Sequence, residues 1–155
     1  PLCSVNLGAG CYQRVRQFFH LGVKTVLVAS GLFVLVGELF PRVIVGIFTE
    51  PTPQVVSMAV YAIRIYFIAY LPMGINIITS TFHQSLESFR EATLISLARG
   101  LIFLVPALFL LGEGFGVNGI WATVPVCEGL TLLLSVLLLR RLFAARFPEE
   151  SSSAL

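Results

Sequence analysis

Arg64, Arg99 and Glu128 are the ionisable residues that fall well inside long apolar runs of this 155-residue chain. A charge at such depth in a bilayer costs at least ~2.5 kcal/mol on insertion scales unless it finds a partner or water. Counting helical rise from the ends of the runs puts Arg99 ~20 Å and Glu128 ~16 Å below one edge of the hydrocarbon, and Arg64 only ~10 Å below it. Arg99 and Glu128 are thus nearest in depth, with Arg64 the next partner for the acid. Two chemistries fit: a structural ion pair that fixes helix register, or a proton or cation site at Glu128 that couples ion movement to transport.

Neutral polar residues recur at helical spacing beside these charges. Asn76, Thr79, Ser80, His83 and Glu87 follow one stripe, and Thr93, Ser96, Arg99 and Gly100 follow another in the next run. Facing each other, Asn76, Thr79, Ser80, His83 and Ser96 are candidates to line a polar cavity; interhelical hydrogen-bond packing is the alternative. Pro72, Pro106 and Pro125 each remove a backbone donor from an apolar run. In lipid the freed carbonyl needs protein or a water-filled cavity, so the three are candidate helix hinges. Pro125 and Glu128 share a helix face, with Trp121 one turn above, so a kink there points the same way as the acid.

Most enzyme chemistries lack their residues. All eight acids are glutamates, and the two histidines, His20 and His83, are far apart in the chain. Neither a histidine metal site nor a Gly-rich phosphate loop is encoded. Cys3, Cys11 and Cys127 have no Cys-x-x-Cys spacing and read as free thiols or small apolar fillers. No paired acids, His cluster or Ser/His set lies at one depth, so no enzyme, cofactor or metal centre is expected. A net charge of +2 with scattered basic residues makes no nucleic-acid surface.

What must position these groups is an all-α assembly in a membrane. The chain is 57% hydrophobic and 12% charged, against about 25% charged in soluble domains. Runs near the length a bilayer requires cover about residues 21–40, 57–79, 92–111 and 117–139, giving four expected transmembrane helices. Residues 1–20 read as the end of a preceding helix and a cytoplasmic loop; 140–155 read as a basic flank and a disordered tail. Residues 41–48 form a short apolar stretch suited to the interface. Arg14, Arg16, Lys24, Arg90, Arg140, Arg141 and Arg146 fall on one face and Arg42 alone on the other. The positive-inside rule then makes both ends and the second loop cytoplasmic. The chain opens on Pro1 with no basic leader before the first apolar run, which reads as the start of a fragment without a signal peptide.

Several short motifs, in order, resemble the multidrug and toxic compound extrusion (MATE) family. They are Pro1-Leu2 with Asn6-Leu7-Gly8-Ala9-Gly10 and Arg14-Val15, then Leu39-Phe40-Pro41 with Ile47-Phe48-Thr49. Arg64-Ile65-Tyr66, Gly74-Ile75-Asn76, Arg99, Pro106 and Gly116-Val117-Asn118-Gly119-Ile120-Trp121 with Pro125 complete the set. The resemblance spans all but the tail. It implies the end of the eighth helix and helices nine to twelve of a twelve-helix, two-lobe transporter in the plasma membrane. Such a transporter exports cationic or amphipathic drugs by alternating access in exchange for H+ or Na+. The partners implied are the lipid bilayer, the N-terminal lobe that holds most coupling carboxylates, and the drugs. Some branches add an aspartate in the tenth helix; here no acid falls between positions 57 and 81. Glu128 stands where relatives often carry aspartate after the helix-twelve proline. Glu87 lies where relatives usually have glycine, which leaves the turn without its easiest helix cap.

Rival readings are a lipid or polysaccharide flippase of related architecture and a four-helix membrane subunit that transports nothing. The charge count makes a direct prediction about sidedness. In intact cells a membrane-impermeant thiol reagent should reach Cys3 or Cys11 only from the cytoplasm, with Cys127 protected. Labelling of either N-terminal cysteine from outside would overturn the orientation.

Overall fold

A computed structural model of the chain describes residues 2–48 and 52–147; the expected disordered tail beyond residue 147 lies outside the described residues. The described residues form seven α-helices and one π-helical segment, in the order α1 Leu2–Gly8, α2 Tyr12–Leu39, α3 Pro41–Phe48, α4 Pro53–Ile68, α5 Tyr70–Ser85 and α6 Phe89–Leu97, then the π segment Ala98–Ile102 and α7 Leu104–Arg146. Among the described residues there is no strand.

The helices outrun the apolar stretches that announce them. α2 starts at Tyr12 rather than near 21, and α7 continues to Arg146 rather than 139. The added turns carry Arg14 and Arg16 at one end and Arg140, Arg141 and Arg146 at the other. Hydropathy marks only the part of a helix that needs lipid, whereas hydrogen bonding continues into the polar interface. These two basic ends meet. Arg16 donates to the Phe147 carbonyl at 2.9 Å and lies over the Phe143 and Phe147 rings, and Arg146 donates to the Leu86 carbonyl. Beneath them Val15, Phe19, Phe82, Leu86, Leu142 and Phe147 form a buried apolar cluster. The start of α2, the turn after α5 and the end of α7 therefore sit together at one end of the bundle.

Among the described residues three helical stretches are long and apolar enough to cross a membrane: Tyr12–Leu39, Pro53–Ser85 and Phe89–Arg146. The last has 58 residues and would be ~87 Å long if straight, far beyond a ~30 Å core. It is broken at Gly116, whose φ of 60° and ψ of −138° are not helical. A side chain at Gly119 would collide with the Leu111 carbonyl, so the chain doubles back tightly about Gly116. Glycine permits both the left-handed backbone and the close approach. The expected third and fourth spans lie on either side of this reversal, inside one continuous stretch.

Two other breaks lie one turn before a proline. α4 ends at Ile68, four residues before Pro72, and the π segment ends at Ile102, four residues before Pro106. A proline has no N–H for the carbonyl four residues back and its ring crowds that carbonyl, so the helix loosens there rather than at the proline. Of the candidate hinges, Pro72 and Pro106 thus act at Ala69 and at residues 102–103, while α7 runs through Pro125 without an assigned break. Gly74, two residues past Pro72, packs against Val26 and Ser30 of α2 with no space for a Cβ, and Gly37 meets the Phe67 ring in the same way. Small residues let helix backbones approach where apolar burial gives no driving force.

The turn after α5 closes through a paired motif: Ser88 N–H donates to the His83 carbonyl at 2.9 Å and Glu87 N–H to Gln84 at 3.1 Å. That pattern demands a left-handed residue at position 87, and Glu87 has φ 60°. A non-glycine residue there carries about 1–2 kcal/mol of steric cost, partly offset by glycine's larger unfolded-state entropy. Glu87→Gly should raise the stability of the protein by about 0.5–1 kcal/mol, read as an increase in thermal midpoint in detergent. An unchanged or lower midpoint would show that the Glu87 side chain makes a compensating contact.

Candidate functional site: a buried carboxylate shared by three helical segments

Glu128 sits in the second half of α7 with 3% of its surface exposed. Both carboxylate oxygens are engaged. Arg99 Nε lies 3.0 Å from Oε1, and Asn76 Nδ2 donates to Oε2 at 2.9 Å and to the Glu128 backbone carbonyl at 3.0 Å. The other face of the Asn76 amide accepts a hydrogen bond from Ser135 Oγ at 2.9 Å. Asn76 and Ser135 are fully buried. The result is a continuous polar chain, Arg99–Glu128–Asn76–Ser135, that joins the π segment, α5 and α7.

The π segment is what aims Arg99. Phe103 N–H bonds to the Ala98 carbonyl at 2.9 Å, five residues back, instead of the Arg99 carbonyl four back. The Arg99 carbonyl released from that bond accepts the Cys127 thiol at 3.1 Å. Neighbouring residues of α7 thus hold Arg99 twice, Cys127 at the backbone and Glu128 at the side chain. Only donors surround the carboxylate, the arrangement suited to its ionised form. Each carboxylate oxygen already holds one donor, Oε1 the guanidinium and Oε2 the amide, so a proton or cation arriving at Glu128 meets an acid paired on both sides.

Arg64 does not join this cluster. Its Nε lies 3.7 Å from Glu38 Oε2 near the end of α2, in a half-exposed pair. Glu38 is the site residue that sequence reasoning passed over, because it counted as the end of a span rather than an intramembrane acid. The polar stripes also separate. Ser80 donates to the Ala92 carbonyl at 3.3 Å and contacts Ser96 Oγ at 3.4 Å, so these two face each other across α5 and α6. Asn76 instead turns toward α7. Thr79 and His83 are buried, and both ring nitrogens of His83 lack a hydrogen-bond partner among the described residues. None of Asn76, Thr79, Ser80, His83 or Ser96 borders the wider of the two cavities described, between α3 and α4, or the apolar one between α2 and α5.

Comparison with known proteins places the chain among membrane transporters. The MatE family pattern matches residues 1–109. The chain is 29% identical over 81% of its length to the FAD transporter of Shewanella oneidensis, and 30% identical over 92% to the multidrug export protein MepA of Staphylococcus haemolyticus. A second MepA, from Staphylococcus saprophyticus, is 22% identical over 89%. The chain spans 28%, 32% and 30% of these three relatives. No solved structure matches it.

The cluster predicts a thermodynamic cycle. Arg99→Gln leaves the Glu128 carboxylate buried without its cation and should destabilise by about 2–4 kcal/mol. Glu128→Gln should cost less, because the Arg99 side chain is one-third exposed and its long stem can turn the guanidinium outward, whereas the carboxylate is enclosed. The double variant should recover at least half of the Arg99→Gln loss in thermal stability. Strictly additive losses would mean the two groups do not interact energetically.

Proposed function

We propose, starting from the fact that this chain belongs to the MatE family, that it forms part of the second lobe of a multidrug efflux antiporter. The observation that carries this reading is the family match over residues 1–109, with relatives named as multidrug export proteins. In this reading the two halves of Phe89–Arg146 cross the membrane separately, giving four spans in the plasma membrane with both ends cytoplasmic. A first lobe supplies the coupling groups, and cationic or amphipathic drugs leave in exchange for H+ or Na+. The activity is transport, with no bond made or broken in the cargo.

Within such a machine Arg99–Glu128 acts as a register pin. It ties the π segment to α7 through a charge pair that hydrocarbon cannot replace, while Asn76 extends the tie to α5. A lobe that rocks as a body needs helices that do not slip along one another, and an intramembrane pair enforces that. Pairing at both oxygens supports this role over ion coupling at Glu128, where a carboxylate open to solvent is needed.

Two measurements test the reading. Ethidium efflux should be absent from pump-deficient cells carrying this chain alone and present when the first lobe is supplied; efflux by the chain alone would overturn it. In the full parent, the Arg99→Gln and Glu128→Gln double variant should recover efflux along with stability. Stability regained without efflux would assign Glu128 to coupling instead.

A further inference from the structure

Away from the Glu128 cluster, α3 and α4 border an open cavity of about 620 Å3, with Arg42, Arg64, Ser57, Tyr61, Val56 and Val60 among its walls. Its charges do not balance. Arg64 has only the long 3.7 Å contact with Glu38, and Arg42 has no ion-pair partner among the described residues. Among the described residues two guanidiniums therefore have one carboxylate between them, around a space that the valines and Tyr61 also line.

The level of this cavity follows from α3. Val45 packs inward at 5% exposure, whereas Val43, Ile47 and Phe48 are 60%, 74% and 82% exposed. Val43 and Ile47 lie one turn apart, so α3 presents an apolar face with no other part of the chain against it. A short helix of that kind rests in the membrane interface with its apolar face in the acyl boundary. Tyr61 meets Trp121 edge to face at 5.7 Å, and Tyr and Trp gather at the same depth in membrane proteins. Arg42, adjacent to Val43 on α3, is then held at the height of the lipid phosphates.

We propose that this cavity binds the phosphate of a phospholipid from the leaflet in which α3 lies, and prefers an anionic headgroup. Guanidinium forms paired hydrogen bonds to phosphate oxygens, which a lysine ammonium does not. The tyrosine hydroxyl adds a donor, and Val56 and Val60 receive the glycerol and first methylenes. The surplus positive charge selects phosphatidylglycerol over phosphatidylcholine. It also repels a cationic drug, which separates this site from the transport pathway. Arg42 is the one basic residue that the charge count leaves on the outer face, and a bound lipid phosphate gives it a counterion there.

The test uses the full parent transporter, delipidated in detergent, with lipid retention read by native mass spectrometry and by thermal shift. Phosphatidylglycerol should bind the native protein about tenfold more tightly than it binds Arg42→Gln, with Arg42→Lys between them. Arg42 is exposed on α3, so its replacement leaves the fold intact. Glu38→Gln, which frees Arg64, should bind phosphatidylglycerol more tightly than the native protein. Equal retention in the native protein and Arg42→Gln, or no gain in Glu38→Gln, would overturn the proposal. Inorganic phosphate giving the same Arg42-dependent shift at millimolar concentration would make this a site for a free anion and overturn the lipid assignment. Glu50 falls in the sequence between α3 and α4, and lipid binding that emerges only in Glu50→Gln would overturn the proposal for the native protein. These readouts do not involve efflux, so they stand or fall apart from the antiport reading.

Discussion

A carboxylate buried among helices in hydrocarbon must be given donors, and the interior of this bundle is organised around supplying them to Glu128. Water offers none at that depth, and an unpaired charge would cost more than any single apolar contact returns. One donor comes from α5, one from the π segment, and the acid itself from α7. Each of those segments must hold a fixed rotation and height for the three groups to meet. The polar chain therefore specifies how the helices are arranged, a task that apolar burial performs in water and cannot perform in lipid.

The rest of the bundle shows the same inversion. Its interior holds Ser30, Asn76, Thr79, Thr123, Thr131 and Ser135, whereas Leu32, Phe33, Phe109, Leu110, Leu133 and Leu137 point outward. Thr123 and Thr131 return their hydroxyls to carbonyls one turn back at 3.0 Å and 2.9 Å, so they add no unmet polar group to the interior. Close backbone contact at Gly74 and Gly37 does the packing that leucines would do in a soluble core. Among the described residues the larger apolar cluster lies where Arg16 and Arg146 mark the polar end of the bundle.

Much of this could be read from sequence where the inference needed only helix rise. Arg99 and Glu128 were matched in depth by counting residues, and they lie 3.0 Å apart. The same arithmetic set Arg64 nearer the edge than Glu128 but named no other partner for it, because an arginine's charge sits several ångströms from its Cα and can climb toward the interface. There it meets Glu38 rather than Glu128. Helical period put Asn76 and Ser80 on one stripe but could not say which neighbour the stripe faces. In the structure Ser80 turns to α6 and Asn76 to α7, because a helix between two others divides one face between them. The unusual turn at Glu87 was legible, since the missing glycine leaves one conformation with a known cost. The π segment was not, because nothing in the composition of Ala98–Ile102 distinguishes it from ordinary helix.

Its cause becomes visible only when the proline and the ion pair are considered together. Pro106 cannot supply an N–H to the Ile102 carbonyl, so the helix before it is already relieved of one constraint. A widened turn just upstream then costs less than it would in an intact helix, and it changes the angular position of every residue before it relative to those after it. Arg99 falls inside the widened turn, and its carbonyl, no longer held by Phe103, turns to Cys127. The proline that looks like a hinge therefore contributes to fixing the site. By loosening the helix at one point, it lets the guanidinium reach a carboxylate that a regular helix would present at a different angle. Helix flexibility and charge pairing are here parts of one arrangement, since without the loosened turn Glu128 would lose the approach of its cation and the polar chain would end at Glu128.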